Sequence, residues 1–180
     1  IAVSSASESS GANIVQWSVK NSDASQKWEL IQVEDTGCKM DTSKLYMFKN
    51  SNSGLYMEVQ NGAAEDGANV QQWGADSAAS HNTWRVLSAG EGYYYLYSQI
   101  GDKITYLLDV ANGSADNGTN IQIYSDTKAD AQQFKFIKND DGTYYILTKA
   151  SGDKSCVAVA SASGSSGANI IEYKLQLGDT

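Results

Sequence analysis

The chain has 180 residues, 41% of them hydrophobic, with 21 acidic against 13 basic side chains and a net charge of −8. That is enough apolar chain for one sizeable core, and the negative balance without a basic patch leaves no expectation of a nucleic-acid or anionic-membrane partner. No apolar run reaches bilayer length and the first residues lack a signal-peptide pattern, so the chain reads as soluble, with any export signal outside it.

In chain order, residues 1–33 read as the last three strands of a repeat whose first strand is missing: IAVSS, then ANIVQWS, then KWELIQV. Alternating apolar residues support the strands, and the Ser- and Gly-rich SSASESSG between the first two reads as an exposed hairpin connection. Residues 34–44, EDTGCKMDTSK, form a polar connector. A full repeat over 45–89 follows, with LYMFKN, GLYMEVQ, ANVQQW and NTWRVLS as its strands. A second, over 90–139, has GYYYLYSQ, TYLLDVA, TNIQIYS and QQFKFIK. Residues 140–180 hold the first three strands of another, TYYILTK, CVAVAS and ANIIEYK. Two whole repeats are thus flanked by two partial ones. No window places apolar residues at helical spacing for a helix's length, so the chain is predicted to be all-β.

The repeats are visible directly. SGANIVQW, DGANVQQW, NGTNIQIY and SGANIIEY contain Asn13, Asn69, Asn120 and Asn169 at intervals of about fifty residues, a period that implies supersecondary units burying their cores against one another. Short strands at regular spacing, with turn residues between them, suggest a closed or pseudo-symmetric β architecture. Cys38 and Cys156 are too few for a disulfide framework and are not spaced as metal ligands. Their pairing and two unpaired thiols both stay open.

Three further endings complete the pattern: Gln26-Lys27-Trp28, Asn82-Thr83-Trp84 and Gln132-Gln133-Phe134, each preceded by a strand, a long loop and a strand ending in an aromatic. With the four copies above, this resembles the ricin-B-type lectin β-trefoil, including family 13 carbohydrate-binding modules of secreted bacterial polysaccharide-degrading enzymes. The resemblance covers nearly the whole chain. It implies a β-trefoil with Trp28, Trp84 and Phe134 in the shared core, a carbohydrate partner, no cofactor, and a place in a larger secreted or cell-surface bacterial protein.

Sugar recognition needs a carboxylate or amide for vicinal hydroxyls and a flat aromatic for the C–H face of a pyranose. The resemblance places these at Asp109, Gln122, Tyr124 and Gln132 in the second whole repeat. A carboxylate inside an otherwise apolar strand is costly unless it serves a site or a fixed network; the alternative for Asp109 is that it satisfies the following turn. The first whole repeat offers a weaker set, Glu58, Gln71, Trp73 and Asn82, with the longer Glu in place of Asp. His81, beside Asn82, reads as a surface loop histidine. In the partial repeats Ala2 and Ala158 replace the carboxylate, and Val15 and Ile171 the amide, so those sites are expected to be silent.

Other functions compete. The incomplete ends suggest a structural unit: residues 26–33 own a closing strand that the last repeat lacks, and 144–149 an opening strand that the first piece lacks. Joined within one chain they make a permuted trefoil; joined head to tail with neighbouring copies they make a filament; a slice of a tandem array is the third option. An enzyme is not expected, with no catalytic residue and no metal site identified, because the acidic pairs Glu65-Asp66 and Asp140-Asp141 sit in turn-like stretches and no nucleophile or phosphate-binding motif appears. A protease-inhibitor trefoil stays open, since the fold hosts several functions.

Overall fold

A computed structural model describes residues 2–3, 14–15, 38–75, 77–101 and 105–176. The chain divides into two compact units, Ile1–Asp35 and Thr36–Thr180. In the first, β1 (Ala2–Val3) pairs antiparallel with β2 (Ile14–Val15), setting Ala2 opposite Val15. Asn13, Trp17, the expected closing strand 26–33 with Trp28, and residues 34–37 of the connector lie outside the described residues.

The second unit is all-β. Its strands run in chain order as β3 (Leu45–Tyr46), β4 (Tyr56–Val59), β5 (Val70–Trp73), β6 (Trp84–Gly90), β7 (Tyr93–Ser98), β8 (Tyr106–Val110), β9 (Ile121–Ser125), β10 (Phe134–Lys138), β11 (Tyr144–Thr148), β12 (Ser155–Val159) and β13 (Ile170–Lys174). Each expected strand of residues 45–174 forms. The largest difference is at 45–50, where regular pairing covers only Leu45–Tyr46 and Lys49 continues it through an isolated bridge to Tyr56. Helical structure among the described residues is confined to single 3-10 turns. Those at Gln60–Gly62, Ala111–Gly113 and Ala160–Ala162 each hold a left-handed residue, Asn61, Asn112 and Ser161 at φ 56°, 59° and 53°, a conformation that asparagine tolerates better than most side chains.

Period-two alternation decides which residues enter the core. In β6, Trp84 and Val86 are buried while Arg85 and Leu87 are not; in β10, Phe134 and Phe136 are buried while Lys135 and Ile137 are not. The order β3-β6-β7-β10-β11 forms the barrel-like part of the sheet. Three hairpins, β4-β5, β8-β9 and β12-β13, cap it, as a trefoil requires, and send Val59, Val70, Leu108, Ile121 and Ile170 into the same core. The hairpins meet through the bridges Asn69 to Gln122, Gln71 to Asn169 and Asn120 to Ile171. The recurring asparagines therefore sit where the repeats join, and Asn169 Nδ2 donates to Asn120 Oδ1 at 2.8 Å.

A second set of joints lies one residue further along each hairpin. Gln72 is fully buried; its Nε2 donates to the carbonyls of Ser163 and Ser165 at 2.8 and 2.9 Å, and its Oε1 accepts from Ser53 Oγ at 2.7 Å. The equivalent residue in β13 is Glu172, also fully buried, whose Oε1 accepts from the Thr148 hydroxyl while Oε2 has no hydrogen-bond partner among the described residues. Burial raises its pKa, and Asp116 adds to the rise, against the opposing hydrogen bonds of Thr148 and Ser151. The folded chain thus keeps this proton to higher pH than the unfolded chain, so stability is lost as pH climbs from the ordinary glutamate range through the raised value. Glu172→Gln, which removes the buried charge and keeps an acceptor for the Thr148 hydroxyl, is expected to add about 1–3 kcal/mol at neutral pH. Urea denaturation at pH 4 and pH 8 checks this: the gain should appear at pH 8 and shrink at pH 4.

Both cysteines are free, half-buried thiols, Cys156 in β12 and Cys38 in irregular chain. Burial pushes the Cys156 thiol pKa up, and Glu172 contributes in the same direction.

Candidate functional site

Antiparallel register places the candidate residues side by side. Along β8 and β9, Asp109 is directly opposite Gln122, and Leu107 opposite Tyr124. Gln122 Nε2 donates to Asp109 Oδ1 at 3.0 Å. Asp109 is 7% exposed, whereas Tyr124 at the strand end is 39% exposed. A nearly buried carboxylate and an exposed ring therefore share one hairpin. Burial raises the Asp109 pKa, hydrogen bonds from Gln122 and Gln132 oppose the rise, and the charge of Asp66 adds to it.

Gln132 plays a different part from the other three. It is fully buried, its Oε1 accepts from the backbone N–H groups of Thr127 and Lys128 at 2.9 and 3.1 Å, and its Nε2 donates to the Ser125 carbonyl at 2.9 Å. One side chain thereby fixes the loop 125–132 beside Asp109.

The first whole stretch repeats the arrangement with altered chemistry. Glu58 lies opposite Gln71, whose Nε2 donates to Glu58 Oε1 at 2.9 Å, and Tyr56 lies opposite Trp73, which is 47% exposed. Asn82 is buried and holds its own loop, accepting from Ala79 N–H at 2.8 Å and donating to the Ser77 carbonyl at 3.2 Å. His81 is a loop residue with a side chain 41% exposed, and its Nε2 lies 3.5 Å from Glu58 Oε2. One oxygen of this carboxylate is thus bonded within the protein, and an imidazole lies near the other. In β12 and β13 the same register opposes Ala158 to Ile171, and in β1 and β2 Ala2 to Val15. Tyr173 is exposed, yet no polar pair stands beside it.

Sequence reasoning passed over Asp66. Glu65 and Asp66 are exposed as expected, but Asp66 Oδ1 accepts from both the backbone N–H and the hydroxyl of Ser125 at 2.7 Å. A loop from one stretch therefore edges the site of the next, and Tyr106 fixes it by donating to the Ala64 carbonyl at 2.8 Å. No local pattern marks such a contact between residues so far apart in sequence. Asp140 and Asp141 are exposed, and Asp141 accepts from Thr143 N–H and Oγ1 within its own turn.

The model of the ricin-type beta-trefoil lectin domain-like family matches residues 39–124 and 100–173. The chain belongs to that family. Among solved structures, this ricin-type trefoil is similar to a designed threefold-symmetric protein, ThreeFoil, at 35% identity and a TM-score of 0.68, covering 74% of this chain and 91% of that one. It is also similar to an exo-β-1,3-galactanase from Clostridium thermocellum, at 25% identity and a TM-score of 0.65, over 79% of this chain but 28% of the galactanase. The Rhizoctonia solani agglutinin, at 17% identity, a TM-score of 0.65 and coverage of 79% and 92%, shows likeness of fold alone. No curated protein matches the chain. The ricin-type lectin fold accounts for the pairing observed: a strand hairpin brings a carboxylate, an amide and an exposed ring onto one patch.

Proposed function

We propose that the chain is a non-catalytic carbohydrate-binding module that makes its main sugar contact at Asp109, Gln122 and Tyr124, held by Gln132. The observation that carries this reading is the Asp109–Gln122 pair at 3.0 Å beside an exposed tyrosine. The carboxylate accepts from vicinal hydroxyls, the amide supplies further donor and acceptor capacity, and the ring takes the apolar sugar face. Glu58, Gln71 and Trp73 form a secondary site, weaker because the carboxylate is on the longer Glu arm and has His81 3.5 Å from Oε2.

The reading places the module in a larger secreted bacterial protein; the larger protein is supported by the galactanase, in which the similar region is a minor part of the chain. A single shallow site of this kind binds at about millimolar, near −4 kcal/mol, and gains strength on polymers through a second site. Calorimetric titration with galactose-, arabinose- and xylose-based oligosaccharides and polymers tests the reading. Binding to one class, tighter per chain for the polymer, is expected. Absence of heat with every class, in protein of intact fold, overturns it.

A further inference from the structure

The hairpin that carries Asp109 is bordered by a loop of another repeat, and the three junctions of this kind differ in one residue. Gly67 N–H donates to the Ile123 carbonyl at 2.9 Å, and Ile123 N–H donates back to the Ala68 carbonyl at 2.9 Å. Gly118 and Glu172 make the same clasp, with bonds to the Glu172 and Thr119 carbonyls at 2.9 and 2.8 Å. Gly167 and Gln72 make it again, to the Gln72 and Ala168 carbonyls at 2.8 and 2.9 Å. The residue before each glycine is thereby set beside a hairpin: Asp66 beside β9, Asn117 beside β13 and Ser166 beside β5.

Two of these residues make the same bond with different charge. Asp66 Oδ1 accepts from Ser125 N–H at 2.7 Å, and Asn117 Oδ1 accepts from Lys174 N–H, at the equivalent place on β13, also at 2.7 Å. An amide thus suffices to hold the loop, and the Asp66 carboxylate adds a charge that the clasp does not need. The charge is also badly placed for folding. Burial raises the Asp109 pKa and the Asp66 charge raises it further, so the two like charges cost the folded chain free energy. The loop reaches the amide as well, since a methyl group at Gly67 would lie 3.8 Å from Gln122 Oε1. Lys128, the cation of the loop 125–132, is committed elsewhere: its Nζ is 2.7 Å from Asp126 Oδ2 and 4.3 Å from the centre of the Tyr95 ring. A ligand on Tyr124 therefore meets carboxylates from two repeats.

We propose that Asp66 sets the charge class of sugar taken by the Asp109 hairpin: units with an ammonium group are favoured over neutral units, and uronate units are repelled. The inference rests on the sugar reading of Asp109, Gln122 and Tyr124 and names the ligand class of that site. An ammonium group on the ring gains attraction from the exposed Asp66 charge, a ring carboxylate meets repulsion, and a hydroxyl is indifferent to it. The other hairpins lack the combination. Ser166 borders the one with Glu58, and Asn117 borders the one with Ala158 and Ile171.

Asp66→Asn tests the assignment, because Asn117 shows that an amide keeps the bond to the strand end. The probes are methyl glycosides of glucose, glucosamine and glucuronate and of galactose, galactosamine and galacturonate, titrated calorimetrically at pH 6 and low salt. In the unsubstituted chain the amino sugar should bind on the order of tenfold more tightly than the uronate of its series. That ratio should fall at least about threefold in Asp66→Asn, and likewise in high salt, which screens an exposed charge. Two readouts need no ligand: the Asp109 carboxyl, followed by NMR, should titrate at lower pH in Asp66→Asn, and the urea midpoint should not drop. An unmoved Asp109 titration or a lowered midpoint overturns the proposal, the latter because the charge would then serve the fold. Equal binding of amino sugar and uronate, or a ratio that Asp66→Asn leaves unchanged, overturns it while the sugar reading stands. Absence of heat with all these glycosides overturns it too, and the sugar reading falls with it only if the arabinose- and xylose-based ligands also fail.

Discussion

Trp84→Ala is expected to lower the unfolding free energy by about 3–5 kcal/mol, a large fraction of what a domain of this size possesses. The indole is fully buried at the start of β6, and its Nε1 donates to the Met57 carbonyl at 3.4 Å, tying the barrel to the β4-β5 hairpin. Truncation removes the ring contacts, opens a cavity and leaves that carbonyl without its partner. The chain supplies its own control, since Phe134 fills the equivalent place in β10 without an N–H. Trp84→Phe is accordingly expected to cost about 1–2 kcal/mol, the smaller ring and the lost hydrogen bond together. Urea titrations give both values, provided the slope stays constant between variants. A loss below about 1 kcal/mol for Trp84→Ala would mean that the ring is not part of the packed core.

Strand positions were legible because alternation, turn residues and the repeat agree with one another at every stretch from Leu45 to Lys174. The opposition of Asp109 to Gln122, and of Ala158 to Ile171, was also legible, since aligned repeats inherit the same hairpin register. What the sequence concealed are contacts between repeats. Asp66 at Ser125, Gln72 at Ser163 and Ser165, and His81 at Glu58 each depend on where a loop lies in space, which no periodic pattern encodes. The role of Gln132 was hidden for a related reason. A glutamine before a core aromatic has the same letter whether its amide faces a ligand or a loop backbone, and only its complete burial separates the two.

The hairpins also differ in whether they carry a polar pair: Asp109 and Gln122 in one, Glu58 and Gln71 in another, Ala158 and Ile171 in a third. Fold-making positions, the core aromatics and the asparagines at the joints, face inward or toward one another and are constrained by packing. The carboxylate and amide are not needed for the strand pairing, since Ala158 and Ile171 stand in their places with the pairing intact. Burying an unneeded carboxylate is costly. Retention of Asp109 at 7% exposure, with its pKa raised by that burial, is therefore the feature that packing alone does not explain.

Asp109→Asn is expected to weaken sugar binding by about 10- to 100-fold, the loss of hydrogen bonds to a charged acceptor worth about 1.5–3 kcal/mol. Asparagine keeps the size of the side chain and an acceptor for Gln122 Nε2, so the hairpin should survive. Stability should change little, because the bond that Gln132 gives the carboxylate is lost while the cost of burying its charge is relieved. The raised folded-state pKa means that the folded chain holds this proton to higher pH than the unfolded chain, and the ionised carboxylate weakens the fold as pH rises through that value. Binding should show the opposite dependence in the unsubstituted protein: affinity drops as acidification protonates Asp109, and it does so from a higher pH than an ordinary aspartate would allow, while the asparagine variant stays flat. Calorimetric titrations at pH 4, 5 and 7, alongside urea denaturation, separate recognition from folding. Glu58→Gln, by contrast, should change affinity less, because the carboxylate there sits on the longer Glu arm with His81 3.5 Å from Oε2. A larger loss for Glu58→Gln than for Asp109→Asn would move the principal site to the β4-β5 hairpin, with Trp73 as its platform.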